Sequence, residues 1–252
     1  MSGFLAALQF LTVAPFRLRR PVGTEELGRS MRWFPLVGGL VGALVALVDT
    51  LLTPITTPEL RSVAAVALFA ALTGALHLDG LMDACDGLFA LASRERRLEI
   101  MADSRVGSFG LVGAAVTLLL KYAAILALPP GARWAGFIAM GAVSRWSMVY
   151  ATVRYPAARS AGLGQAYKAA TGPTELAFAT GLVILALTPC GPAGAGALLG
   201  AWALTMLCAR YACGRIGGLN GDVYGAISEV VEVAVVISLP PLWRLLGAPI
   251  AI

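Results

Sequence analysis

The chain has 252 residues, of which 58% are hydrophobic and only 13% charged, with a mean hydropathy of +0.80. A soluble domain of this length carries about a quarter charged residues, so the shortfall excludes an ordinary water-facing globule and points to lipid. The net charge is +5, but of the 19 basic residues, nearly all arginine, all except Lys121 and Arg145 fall between apolar segments, so topology and anionic headgroups account for them and no nucleic-acid partner is expected.

From the N-terminus, residues 2–16 are apolar but short and fit an interfacial or partly inserted helix. No basic leader with a small-residue cleavage site precedes them, so no signal peptide is expected. Long apolar segments follow at about 33–53, 60–76, 107–128, 134–152, 174–190 and 194–212, with a seventh at about 230–247. A spanning helix needs roughly 20 such residues. The expected fold is all-α: a polytopic integral membrane helical bundle of about six to eight membrane helices. It forms a single membrane-embedded domain over residues 1–252, with no internal repeat.

The polar connections alternate in charge. Residues 17–32 carry Arg17, Arg19, Arg20, Arg29 and Arg32, residues 77–106 carry Arg94, Arg96, Arg97 and Arg105, and Arg154, Arg159, Lys168, Arg210 and Arg215 follow in the later connections of the same side. The opposite turns hold only Arg61, Arg133 and Arg244. By the positive-inside rule the arginine-rich loops are cytoplasmic, and every loop with an unusual motif lies there. A cell inner membrane location with a cytoplasmic active face is expected.

The most informative stretch is His77–Gly87, HLDGLMDACDG, directly after an apolar span. Asp79, Asp83 and Asp86 stand at i, i+4 and i+7, within an arc of about 60° on a helix. A solvated acidic face paired with Arg94 and Arg105 is the alternative, but carboxylates at a membrane boundary are costly and more often functional. Oxygen donors alone favour a hard cation, Mg²⁺ or Mn²⁺, shared with substrate phosphates. His77 falls near 160° on the same wheel, away from the aspartates, so packing and catalysis are both open to it. The four cysteines form no CxxC pair and His77 is the only histidine, which argues against zinc or a disulfide framework.

Further along, Asp103–Gly110 reads DSRVGSFG, a helix start with Arg105 beside it, suited either to plain capping or to gripping phosphate. Arg145 lies deep in an apolar span and needs an acidic partner or an anionic substrate; Lys121 is similar but can snorkel. Gly217–Glu229, GGLNGDVYGAISE, reads as a glycine loop running into a helix that carries Asp222 and Glu229 on one face. A second metal or base position and simple capping by Asp222 both fit.

Taken together, HLDGLMDACDG, SRERRLEIMADSRVGSFG (93–110), AVSR (142–145), GLGQAY (162–167) and NGDVYGA (220–226) resemble the adenosylcobinamide-GDP ribazoletransferase, or cobalamin synthase, family, in order and from about Phe10 to the C-terminus. The resemblance implies a Mg²⁺-dependent membrane transferase that joins α-ribazole or its 5′-phosphate to adenosylcobinamide-GDP and releases GMP. On this reading Asp79, Asp83 and Asp86 hold the metal. Arg94, Arg105, Arg145, Asn220 and Glu229 bind substrate, and Asp103, Arg105, Asp222 and His77 are the catalytic candidates. The expected partners are these small molecules and membrane lipid, and small-residue helix faces would allow a homodimer. A CDP-alcohol phosphotransferase is the nearest rival, but its pattern has arginine where Cys85 follows Ala84. A transporter with a carboxylate relay is a second rival, less supported because the acidic cluster sits in one loop and no repeat is visible.

Overall fold

The computed structural model describes residues 2–15, 23–160 and 162–246, and among these no strand forms beyond one isolated bridge between Ala157 and Leu219. Arg17, Arg19 and Arg20 lie outside the described residues. The α-helices, in chain order, are α1 (Ser2–Leu11), α2 (Thr24–Ser30), α3 (Phe34–Leu52), α4 (Pro58–Leu72), α5 (Leu76–Phe89) and α6 (Arg94–Met101), followed by α7 (Ser108–Leu126), α8 (Arg133–Arg154), α9 (Leu163–Ala170), α10 (Pro173–Leu187), α11 (Pro192–Ile216) and α12 (Gly221–Leu246).

Among the described residues, five helical stretches are long and apolar enough to cross a membrane: Glu25–Leu52, α7, Pro173–Cys190, α11 and α12. The α4–α5 pair, bent by 87°, makes a sixth if it counts as one span. The expected six to eight membrane helices are therefore met only at their lower end. Helix α1, about 15 Å long at ten residues, is too short to cross; it buries Ala7 and Leu11 and packs on α2 and α3.

The expected span at 134–152 is present as α8, but Arg133, Arg145, Arg154 and its two serines set it apart from the apolar set. Sixteen of its 22 residues are buried, and α3, α10, α11 and α12 pack around it. A helix sheathed by other helices can carry polar groups that lipid would not tolerate. Its closest neighbour is α3, where Gly38 and Gly42 face it. A Cβ at those positions would stand 2.1 Å from the Gly141 carbonyl oxygen and 2.2 Å from that of Phe137, so glycine alone permits this approach. At the far end of the bundle Asp49 of α3 accepts hydrogen bonds from Arg133 Nε and Nη2, both at 2.7 Å, and from Arg61 Nε and Nη2 at 3.1 and 3.0 Å. Such bidentate pairs fix α3, α4 and α8 in register.

The carboxylate helix does not continue the preceding apolar segment. Gly74 and Ala75 both adopt left-handed backbone, with φ of 60° and 55°, and the chain turns through the 87° bend between α4 and α5. For alanine that conformation costs about 1–2 kcal/mol, offset by the packing of α5 along α12 and α7. Helix α7 turns Leu111, Val112, Val116, Leu119 and Leu120 outward, an apolar face matched to lipid.

Candidate active site

Helices α5 and α12 cross where Gly80 meets Gly225. A Cβ on Gly80 would lie 3.0 Å from the Asp222 carbonyl oxygen, and one on Gly225 would lie 3.0 Å from that of His77. This contact brings Asp222, in the first turn of α12, beside Asp79 and Asp83, close enough for their charges to interact. Asp79 is exposed, and Asp83 and Asp222 are half-buried.

Asp86, the third member of the expected stripe, has a different environment. Its Oδ2 accepts from the Gly107 backbone N–H and its Oδ1 from that of Gly110, each at 2.8 Å. It is therefore the anion at the N-terminus of α7, where the first N–H groups have no partners within their own helix.

The arginines that sequence spacing offers as partners for these carboxylates are occupied elsewhere. Arg94 donates from Nε to the Ile216 carbonyl at 2.9 Å and from Nη2 to that of Ala158 at 3.2 Å, closing the end of α11 where Gly217 turns left-handed (φ 77°). The buried Arg97 donates to the carbonyls of Gly87, Leu88 and Ala92, at the end of α5. Arg105 donates to both oxygens of Asp103, at 2.6–3.2 Å. Together with the Arg105 backbone N–H, this guanidinium holds the Asp103 carboxyl at about 2. Among the described residues no ion pair reaches Asp79, Asp83 or Asp222.

Beside Asp222 lies a polar cleft of about 180 Å³, bordered by Arg159, Gly164, Gln165, Asn220 and Gly221. Asn220 sets its floor: its Oδ1 accepts from Val223 N at 3.1 Å, capping α12, and its Nδ2 donates to Asp222 Oδ2 at 2.7 Å. Helix α9 forms the facing wall. It is held by Lys168, which donates to the Thr152 and Val153 carbonyls at 2.8 and 2.9 Å at the end of α8. The 155–160 segment closes the arrangement by backbone bonds between Ala158 N and Leu219 O and between Leu219 N and Pro156 O, both 2.8 Å. The motif loops thus assemble at one end of the bundle.

Several expected site residues stand away from this cleft. Arg145 is 2% exposed and pairs with Glu232 of α12, while its Nη2 lies 3.3 Å from His77 Nδ1. Glu229 accepts from Lys121 Nζ at 2.7 Å, and the same ammonium donates to Glu232 at 2.6 Å. His77, Lys121, Arg145, Glu229 and Glu232 are all buried and form one charge-balanced network joining α5, α7, α8 and α12. His77, expected among the catalytic candidates, and Arg94, Arg145 and Glu229, expected to bind substrate, thus have their partners within the protein.

Two residues of the cleft, Arg159 and Gln165, carry no expectation from the sequence as individual side chains. The signal for Gln165 is the glycine pair Gly162 and Gly164 around the start of α9. Arg159 reads as one more topology-setting charge. Glu232 is signalled only by its position three residues after Glu229.

Asp222 feels the nearby Arg159 charge, but an oxygen-only set of clustered carboxylates still suits a hard divalent cation. Among the described residues, however, no group of three or more ligating side chains converges on one point. The residues fit an ion held by one or two carboxylates and completed by substrate phosphate and water, as is usual for Mg²⁺.

Residues 3–240 match the family described as Cobalamin-5-phosphate synthase. A protein of Geotalea daltonii named adenosylcobinamide-GDP ribazoletransferase is 39% identical over 242 residues, covering 94% of this chain and 96% of its own. Proteins of the same name from a Roseiflexus species and from Desulforamulus reducens are also 39% identical, covering 92% and 93% of this chain and 87% and 94% of theirs. No solved structure matches the chain. With the motif loops gathered around Asp222 and a match running nearly end to end, the chain belongs to the Cobalamin-5-phosphate synthase family.

Proposed function

We propose that this protein joins α-ribazole or its 5′-phosphate to adenosylcobinamide-GDP, the final step in assembling the nucleotide loop of cobalamin. The observation that carries this reading is the group Asp79, Asp83 and Asp222, which makes no ion pair among the described residues and whose Asp222 borders a polar cleft, in a chain of this family. In the reaction a ribazole hydroxyl attacks the phosphorus attached to the cobinamide. The bond from that phosphorus to the bridging oxygen breaks, GMP leaves with the bridging oxygen, and the hydroxyl proton passes to a base.

Displacement at a diphosphate leaves the protein chiefly positioning and charge neutralisation to perform. Asp79 and Asp83 are the metal-holding pair, and Mg²⁺ bound there with the diphosphate would offset the charge that develops on departing GMP. Asp222 is the proton acceptor: it borders the cleft, and Asn220 fixes its carboxylate. Asp103 is poorly suited, since a carboxyl held at about 2 by Arg105 is a weak base. Gln165 on the facing wall and Arg159 in the 155–160 segment, whose Nη2 also donates to the Leu98 carbonyl at 2.7 Å, supply donors for phosphate oxygens. The basic end of the bundle faces the cytoplasm by the positive-inside rule, in the inner membrane.

The test incubates protein reconstituted in lipid with adenosylcobinamide-GDP, α-ribazole and Mg²⁺ and follows nucleotide release. GMP formed only when both substrates and Mg²⁺ are present is the expected result. CMP release from a CDP-alcohol instead would replace this reading with that of a phospholipid enzyme.

A further inference from the structure

Behind the polar cleft lies a second, apolar chamber, bordered by Phe10, Met31, Phe34, Met148, Tyr167 and Tyr224. Gly164 and Gly221 border both spaces, so the two adjoin where these glycines form the rim. Three of the rings are already packed together: Phe10 lies 5.8 Å from Phe34 and 5.3 Å from Tyr167, and Phe34 lies 6.0 Å from Tyr167. Tyr167 and Tyr224 are each 5% exposed, and among the described residues neither hydroxyl makes a well-formed hydrogen bond, although the Ser30 and Thr152 hydroxyls lie near enough to act on them. Those two hydroxyls give their own protons to the Leu27 and Met148 carbonyls, so neither is free to donate to a tyrosine oxygen. A buried hydroxyl without a well-formed hydrogen bond costs up to about 1–3 kcal/mol, so two of them on residues bordering one apolar chamber point to a place where a ligand can supply a better partner.

We propose that this chamber is the subsite for the aromatic base of the ribazole acceptor, an inference that rests on the function proposed above. A benzimidazole base is flat and apolar, and its unsubstituted ring nitrogen can accept one hydrogen bond, which a tyrosine hydroxyl can donate. Guanine, the other base in the reaction, carries several polar groups that these apolar walls would leave unsatisfied. The chamber measures about 60 Å³, and Met31 and Met148 border it with unbranched side chains that can repack around an entering ring. With the base seated there, the ribose emerges past Gly164 and Gly221 toward Asp222. Tyr167 and Tyr224 thus select the acceptor, while the carboxylates and the polar cleft handle the diphosphate.

The experiment measures α-ribazole binding by equilibrium dialysis and turnover by GMP release, for the wild-type protein and for Tyr167→Phe, Tyr224→Phe and Gly164→Val in lipid. A Cβ at residue 164 meets nothing closer than Gly221 N at 3.6 Å, so the fold accommodates valine while its methyls narrow the rim. Loss of one hydroxyl partner should weaken α-ribazole binding about threefold to tenfold in at least one tyrosine variant. The acceptor KM should rise in parallel while the KM for adenosylcobinamide-GDP stays within twofold. Gly164→Val should impair acceptor binding more strongly.

Active variants with unaltered acceptor affinity would overturn the subsite and leave the proposed function standing. A selective loss of donor or GMP affinity would assign the chamber to guanine and overturn the subsite in the same way. A wild-type protein that binds no α-ribazole and releases no GMP would end both.

Discussion

Arg145 on α8 and Glu232 on α12 form an ion pair in the middle of the bundle, 87 residues apart in sequence and 2% and 1% exposed. Glu232 also accepts from Lys121, and Arg145 contacts His77, which lies two residues before Asp79 on α5. The network therefore fixes the angle at which the carboxylate helix meets α12. Glu232→Gln removes the charge that balances Arg145 and Lys121, and breaking a buried pair from one side costs about 3–5 kcal/mol. A large drop in melting temperature in detergent is expected. Arg145→Met combined with Glu232→Met should melt higher than Glu232→Gln, since no unpaired arginine remains. A double variant no more stable than the single one would show that packing, not charge balance, sets this crossing.

Asp86 differs from Asp83 in what it touches, and the two should separate experimentally. Because Asp86 caps α7 through the Gly107 and Gly110 N–H groups, Asp86→Ala should destabilise the protein by about 0.5–2 kcal/mol. The Mg²⁺ concentration for half-maximal activity should barely move. Gly110→Ala should be worse, since its Cβ would stand 2.4 Å from Asp86 Oδ2 and 2.9 Å from the Met82 carbonyl oxygen. A strong shift in Mg²⁺ requirement with unchanged melting would instead return Asp86 to the metal site.

Much of this was legible in the chain and some was not. Apolar runs and basic loops mark α3, α7, α10, α11 and α12, because lipid demands length and hydropathy. The spacing of Asp79 and Asp83 marks their shared face, because helical periodicity is local. The partners of Arg94 were hidden: backbone carbonyls at Ala158 and Ile216 are supplied by segments 64 and 122 residues away, and no side-chain pattern announces a helix end that needs a donor. Arg145 reads correctly as a costly intramembrane charge, but which acid answers it depends on how α12 lies on α8. The bend at Gly74–Ala75 has one visible sign, the glycine; nothing local requires left-handed alanine.

The acid limb of the pH–rate profile distinguishes the two base candidates. The Asp103 carboxyl is held at about 2 by Arg105, below the roughly 3.9 of an unfolded aspartate. Its stabilising contribution is therefore present above that unfolded value and lost only as pH falls through about 2. Between pH 5 and 9 Asp103 stays ionised, so Asp103→Asn should leave the acid limb of kcat/KM where it is. Asp222→Asn should lower kcat by about 10²–10⁴ and flatten that limb. If Asp103→Asn shifts the limb and Asp222→Asn does not, the two exchange roles.

Asp83 carries the most weight because it stands between Asp79, Asp86 and Asp222, all near enough to act on its charge, with no cationic side chain bonded to it among the described residues. Carboxylates crowded in this way repel one another, so a protein that retains them accepts instability for the sake of a cation. Asp83→Asn relieves the repulsion and takes away a metal-holding oxygen. The melting temperature should therefore hold or rise, while turnover falls at least about a hundredfold, the scale on which a single electrostatic contact to the transition state is felt. Raising Mg²⁺ should recover part of the loss. GMP release measured beside a thermal melt of the same preparation gives both numbers, and near-normal turnover with a lowered melting temperature would make Asp83 a structural residue rather than a holder of metal.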